Sequence, residues 1–316
     1  MENSPSPVVP PKNNTALGIL LSVLGIAVFS TIELNCKWLA RYLVGAGANE
    51  INGFMLCFQR FFWTGLILIA LFYPAYVKKG RHLTWRDMGV FLLNGSICVT
   101  ISISFYQFAV SIFENASSAA VVFSSNALFT IFFARFINGE PWTLRKWLAV
   151  AIGMLGIACF IFEKGTPTMS TLGAILLMWA SALTFACSVC ITRRVVANYG
   201  AGLLMGFSSL FGSLLVLPIA LCFSGNEVWN SCLVGWKPLS ILILVGTTLG
   251  YYLYYSSMKY ISAYLASMSF LLKPVLACLM AVIIAGEKMN AWTICGTIII
   301  VSSLLVNHLH FGAKKK

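Results

Sequence analysis

The 316 residues are 59% hydrophobic and only 9% charged, and 21 Lys and Arg against 9 Asp and Glu give a formal net charge of +12. Soluble domains carry about 25% charged residues, so this composition excludes a soluble globular protein and places most of the chain in hydrocarbon. The positive charge does not point to nucleic acid, because it is distributed over alternate loops between apolar runs.

Residues 1–14, MENSPSPVVPPKNN, are polar and proline-rich, which predicts a short disordered tail with none of the marks of a cleaved signal. Apolar runs of about 20 residues, enough to cross a bilayer as helix, then recur along the chain. They predict helices at 16–36, 52–74, 87–108, 116–136, 146–163, 171–192, 202–223, 238–257, 262–284 and 291–309, followed by a basic tail at 311–316. Runs this uniformly apolar suit helices, which satisfy their own backbone, and not the alternating strands of a barrel. The expected fold is therefore an all-α membrane protein of ten transmembrane helices.

Orientation follows from the cations. Fourteen of the 21 fall on one set of alternate loops, including Lys78, Lys79, Arg81, Arg86, Arg145, Lys146, Arg193 and Arg194. Five, Lys37, Arg41, Lys164, Lys237 and Lys288, fall on the other, and Arg60 and Lys273 lie within spans. The positive-inside rule puts both the N and C termini in the cytoplasm, which an even number of spans requires.

The two halves repeat. Phe105–Trp142 and Tyr252–Met289 align without a gap at a constant offset of 147, which superposes Asn126 on Lys273, Ala119 on Ala266 and Asn138-Gly139-Glu140 on Ala285-Gly286-Glu287. Each half holds an odd number of spans, so the second copy enters the membrane from the opposite face, and the expected layout is two inverted five-helix repeats at 15–165 and 170–310.

Catalytic machinery is missing from the sequence. No phosphate-cradling GxxxxGK[ST] occurs. Asp87 is the one aspartate, and His82, His308 and His310 are peripheral, so neither paired acids nor a nucleophile with its base is available. No enzyme, no cofactor, no metal and no nucleic-acid partner is expected. The ten cysteines lie mostly within helices, where they serve as small apolar packing residues.

Three charges penetrate the spans: Glu33 in the first, Arg60 in the second and Lys273 near the middle of the ninth. A charge at the helix centre costs about 2.5–3.5 kcal/mol on insertion scales, so each needs a cavity or a partner. In one reading Arg60 and Lys273 meet a solute carboxylate or phosphate while Glu33 meets an amine or takes up a proton. In the other the charges are structural, Glu33 pairing with Lys37 at i, i+4 and Arg60 capped by carbonyls. Tyr106, Asn126, Trp179, Tyr251 and Tyr255 complete the expected substrate-binding set, supplying ring faces and polar tips. Pro274 beside Lys273 removes a backbone donor and is expected to open the helix at mid-membrane.

These residues resemble the EamA-type drug/metabolite transporters. Phe29-Ser30 through Lys37 resembles the first-span WG to K pattern, and Arg60-Phe61-Phe62 the second-span arginine signature. Asn126-Ala127 and Lys273-Pro274 occupy the Asn-Pro position of each repeat, followed by Gly139-Glu140 and Gly286-Glu287. The resemblance spans residues 15–310. Departures are Phe29-Ser30 for Trp-Gly, Ala127 for proline and Lys273 for asparagine, and a lysine there favours an anionic or zwitterionic solute. The resemblance implies a multi-pass protein of the cytoplasmic (inner) membrane, a monomer or homodimer in the lipid bilayer. The expected function is secondary transport of a small polar metabolite, an amino acid or related solute, by alternating access, with proton coupling through Glu33 one option. A nucleoside or drug-like exporter of the same family is the alternative, and a channel a more distant one.

Overall fold

The computed structural model describes residues 14–49, 51–112, 122–162, 169–223, 228–273, 275–276, 279 and 291–308. Among them every regular element is helical. In chain order these are α1 (Thr15–Phe29), α2 (Ile32–Gly45), α3 (Gly53–Lys78), α4 (Trp85–Gly95), α5 (Ser104–Ile112), α6 (Asn126–Asn138) and α7 (Leu144–Phe162). Then come α8 (Met169–Tyr199), α9 (Ala201–Cys222), α10 (Val228–Val234), α11 (Trp236–Ile241), α12 (Gly250–Ser257), α13 (Ala263–Met268) and α14 (Ala291–His308). Two π-helical stretches, Ser96–Ile103 and Leu242–Leu249, join α4 to α5 and α11 to α12. Among the described residues five helical rods are long and apolar enough to cross a membrane: Gly53–Lys78, Trp85–Val110, Leu172–Tyr199, Ala201–Cys222 and Trp236–Ser257.

Local chemistry sets the ends. Asn52 caps α3 by accepting from the Met55 amide at 2.8 Å, and Thr84 with Asp87 forms a reciprocal capping box on α4. Gly139 and Gly200 close α6 and α8 with φ of 67° and 83°, a region that favours glycine. Nothing before Gly200 stops α8, so it runs past the expected end at 192. Arg193 and Arg194 are therefore helical and not loop residues, Arg193 being buried while Arg194 donates to the Ile137 carbonyl at 2.9 Å. Lys37 and Arg41 likewise lie on α2, not in a loop.

The first expected span, a continuous helix over 16–36, is corrected to two helices. Ser30 and Thr31 interrupt it, their hydroxyls turning back on the Ile26 and Val28 carbonyls at 2.9 and 2.8 Å. Such back-bonding competes with the helical ladder. A second interruption, at Ser124 and Ser125, precedes α6, and a third, the 3-10 turn Ser269–Leu271, follows α13. The last two meet: Ser124 donates to the Phe270 carbonyl at 3.0 Å, and Thr130 shares a hydrogen bond with Ser267 at 2.8 Å. Pro274 and the small-residue segment Ala116–Ala120 lie outside the described residues.

The helices pack in matched pairs. α3 lies along α9, α7 along α14, α1 along α12 and α8 along α5. Glycines permit the closest approaches. A Cβ on Gly65 would stand 2.8 Å from the Leu210 amide, and one on Gly95 would overlap the Ser208 carbonyl oxygen. Gly95→Ala is expected to lower stability by about 1–3 kcal/mol through overpacking. Gly89→Ala, on the same helix with nothing within 4 Å of the added carbon, is expected to raise it by up to about 1 kcal/mol, alanine being the better helix former. Paired thermal melts of the purified variants check this.

Candidate functional site

The three interruptions and one π-helical stretch converge on a buried cavity. It is lined by Phe29, Ile32, Arg60, Ile103, Tyr106, Phe123, Phe185, Tyr251, Phe270 and Lys273, with a free volume of about 30 Å³. Each broken helix delivers a side chain from its break: Phe29 and Ile32 flank Ser30-Thr31, Phe123 precedes Ser124, and Phe270 lies within the 3-10 turn. Breaks in a membrane helix are tolerated where the freed backbone is buried in protein or lines a cavity, and here they do both.

Aromatic rings form the wall. Phe29 lies edge-on to Tyr251 at 4.7 Å between centroids and stacks on Phe270 at 5.9 Å. Phe270 also meets Phe123 at 5.7 Å and Phe185 at 5.3 Å, both edge-on. Tyr106 contacts Phe123 at 5.0 Å. Edge-to-face pairs contribute roughly 0.5–1.5 kcal/mol each beyond their burial, so this shell is stiff and apolar. Two cations are set into it.

Arg60, about two turns into α3, is 3% exposed. Its Nε donates to Thr247 Oγ1 at 3.0 Å. Thr247 sits in the second π-helical stretch, and its hydroxyl donates to the Leu242 carbonyl five residues back, also at 3.0 Å. The wide turn thus presents the hydroxyl oxygen to Arg60 as an acceptor, and the neighbouring Thr248 bonds Thr64 one turn along α3 at 2.8 Å. Among the described side chains, which do not include that of Glu33, no carboxylate lies within ion-pair distance of Arg60.

Lys273 is 4% exposed. Its ammonium donates to the Tyr106 hydroxyl at 3.2 Å and stands 5.2 Å from the centre of that ring. A neutral hydroxyl and a ring face offset part of the desolvation of an ammonium. A solute carboxylate or phosphate would add an opposite charge to the contact with the ammonium, an attraction that a hydroxyl does not supply.

Of the expected site residues, Arg60, Tyr106, Tyr251 and Lys273 line one cavity. Tyr255 is buried one turn along from Tyr251, its ring 6.1 Å away and its hydroxyl directed to the Cys98 sulfur at 3.7 Å. Asn126 is fully buried at the start of α6, donating to the Phe123 carbonyl at 2.9 Å. Its Oδ1 has no hydrogen-bond partner among the described residues. Glu33 follows the lining residue Ile32 on α2, but its side chain lies outside the described residues. Trp179 is placed elsewhere: it is 47% exposed, on the same face as Leu176 and Leu183, whereas Met178, Ala182, Phe185 and Val189 form the inward face of α8. Helical spacing from 178 selects 185 for the cavity and turns 179 outward.

Sequence reasoning missed the phenylalanines and Thr247. A signal for two of them was present, since Phe123 and Phe270 are themselves 147 apart. Thr247 lies in a GxxxG stretch, Gly246–Gly250, a pattern that by itself points to helix packing and not to a site. No three His, Cys, Asp or Glu side chains converge to hold a metal among the described residues.

The EamA-like transporter family is matched over residues 38–162 and again over 172–308. The chain belongs to that family. It is 29% identical to an uncharacterized transporter of Clostridium kluyveri, over 92% of this chain and 93% of that one. A probable amino-acid metabolite efflux pump of Salmonella typhimurium is 22% identical over 68% of this chain and 76% of its own length. An S-adenosylmethionine uptake transporter of Rickettsia prowazekii is 21% identical over 91% of each. A solved crystal structure, 18% identical, superposes with a TM-score of 0.70 over 92% of this chain and 96% of that one, which establishes likeness of fold. The protein is thus a multi-pass inner-membrane protein of a transporter family.

Proposed function

We propose that this EamA-family protein is a secondary transporter for a small anionic or zwitterionic metabolite, of the amino-acid class. The observation that carries the reading is the placement of two buried cations, Arg60 and Lys273, in one aromatic-walled cavity at the breaks of the helices. Each cation donates to a hydroxyl whose place a solute anion can take, Arg60 to Thr247 and Lys273 to Tyr106. The aromatic walls add a face for the apolar body of the solute.

The architecture proposed is ten spans in two inverted halves, 15–165 and 170–310, with both termini cytoplasmic. The packing supports it. The helices α3 and α9, and likewise α7 and α14, begin 148 and 147 residues apart and lie against each other, as elements related by a twofold axis do. α1 against α12 is mirrored by α8 against α5, and the two π-helical stretches begin 146 residues apart. A cavity of about 30 Å³ holds no more than a few waters, so loading a metabolite requires the halves to part on one side. Alternate parting of the two ends around a fixed site is the carrier cycle.

Proton coupling is assigned to Glu33, which follows the cavity-lining Ile32 on α2. In proteoliposomes, uptake by the unmodified protein is expected to depend on the pH gradient and that of Glu33→Gln to be independent of it. Uptake indifferent both to the gradient and to the substitution rules the coupling out. The transport reading itself is tested by screening amino acids, nucleosides and organic acids for thermal stabilisation of the purified protein, since a ligand specific to the folded state raises its melting temperature. Hits confined to solutes with a carboxylate or phosphate are the expected result.

A further inference from the structure

A second, larger cavity lies away from the central one, on the outer surface between α3, α10 and α11. It is an open groove of about 700 Å³, within the range that accommodates a whole small ligand. Its lining is almost entirely apolar. Phe58 and Phe62 stack at 5.1 Å along α3, and Trp229 of α10 meets Phe58 edge-on at 6.5 Å. Polar groups in the wall bond within the protein, Trp63 Nε1 donating to Gln59 Oε1 at 2.9 Å and Ser240 Oγ to the Lys237 carbonyl at 2.8 Å. The lip of the groove is exposed: Leu233 is 73% and Trp236 59% accessible.

Charge marks one end. Trp236 opens the helical rod Trp236–Ser257, where a tryptophan at a span end lies at headgroup level. The ammonium of the next residue, Lys237, stands 5.8 Å from the centre of the Trp236 ring. Among the described residues no carboxylate pairs with it. A concave apolar groove in a bilayer-facing surface is filled by acyl chain, and a cation fixed at its headgroup end adds a preference for negative charge.

We propose that this groove is a binding site for one anionic phospholipid, its acyl chain against Phe58, Phe62 and Trp229 and its headgroup on Lys237. The site is separate from the transport cavity, and its test does not depend on transport. Native mass spectrometry of the delipidated full-length protein, titrated with phosphatidylglycerol and with phosphatidylcholine of identical chains, reads it directly. The expected result is a single retained phosphatidylglycerol, held about fivefold more tightly than phosphatidylcholine, the gain of one lysine near a headgroup. Lys237→Glu is expected to remove that preference. Ser240→Trp, which fills the groove, is expected to remove retention of both lipids, with thermal melts confirming that each variant is folded. Equal retention of the two lipids, a preference that survives Lys237→Glu, or many weakly held lipids of either kind would overturn the assignment.

Discussion

Lys273→Met is expected to reduce solute uptake in proteoliposomes on the order of 100-fold, equivalent to about 3 kcal/mol, while the purified protein stays folded and monodisperse. The figure follows from truncating one member of a buried charged contact, which costs about 2–5 kcal/mol. Methionine preserves most of the side-chain volume, so the loss reports charge and not packing. Lys273→Arg keeps the positive charge at the same break in the helix and should retain part of the activity, although the planar fork cannot reproduce the contact with Tyr106. A purely structural lysine would behave differently. Its removal would lower the melting temperature, and the remaining folded fraction would transport with unchanged affinity.

Arg60→Met carries the second large effect, and its sign on stability differs from its sign on function. The guanidinium is buried in α3 and donates to the neutral Thr247 hydroxyl. That hydroxyl and the Phe61 ring, whose centre is 5.7 Å from the guanidinium carbon, are neutral and offset its desolvation only in part. Replacing it with an apolar side chain of similar length is expected to leave the melting temperature unchanged or raise it. Uptake is expected to fall by about 30-fold or more, or about 2 kcal/mol, through the loss of a charge-assisted contact with the solute. A stabilised but inactive protein is the signature of a residue kept for function. A destabilised protein with normal affinity would instead assign Arg60 to the scaffold. Uptake kinetics together with melting curves on the same preparations separate the two.

The five membrane-length rods among the described residues were legible because twenty-residue apolar runs have few other uses, and Ala201–Cys222 agrees closely with an expected 202–223. The two cations were legible for a similar reason: at 3% and 4% exposure, Arg60 and Lys273 stand where a charge is costly. The break at Ser30-Thr31 was not, since serine and threonine are tolerated in membrane helices and only their hydroxyl geometry decides whether the ladder is interrupted. The π-helical stretches leave no composition mark at all, yet one of them sets the hydroxyl that holds Arg60. Trp179 was misplaced because an aromatic in a uniformly apolar helix has no polar face to orient it. Its outward direction follows only once Phe185 and Val189 are known to face inward. Arg193 shows the converse, a charge assigned to a loop by the hydropathy boundary and carried inward by a helix that no glycine stops before Gly200.

A structure determined with the transported solute bound tests the central claim most directly. The account predicts its carboxylate or phosphate within hydrogen-bond distance of both the Lys273 ammonium and the Arg60 guanidinium, with the solute body against Phe123 and Phe270 in an enlarged cavity. A solute seated outside that cavity, with Lys273 still bonded to Tyr106 and Arg60 to Thr247 as they are now, would contradict it.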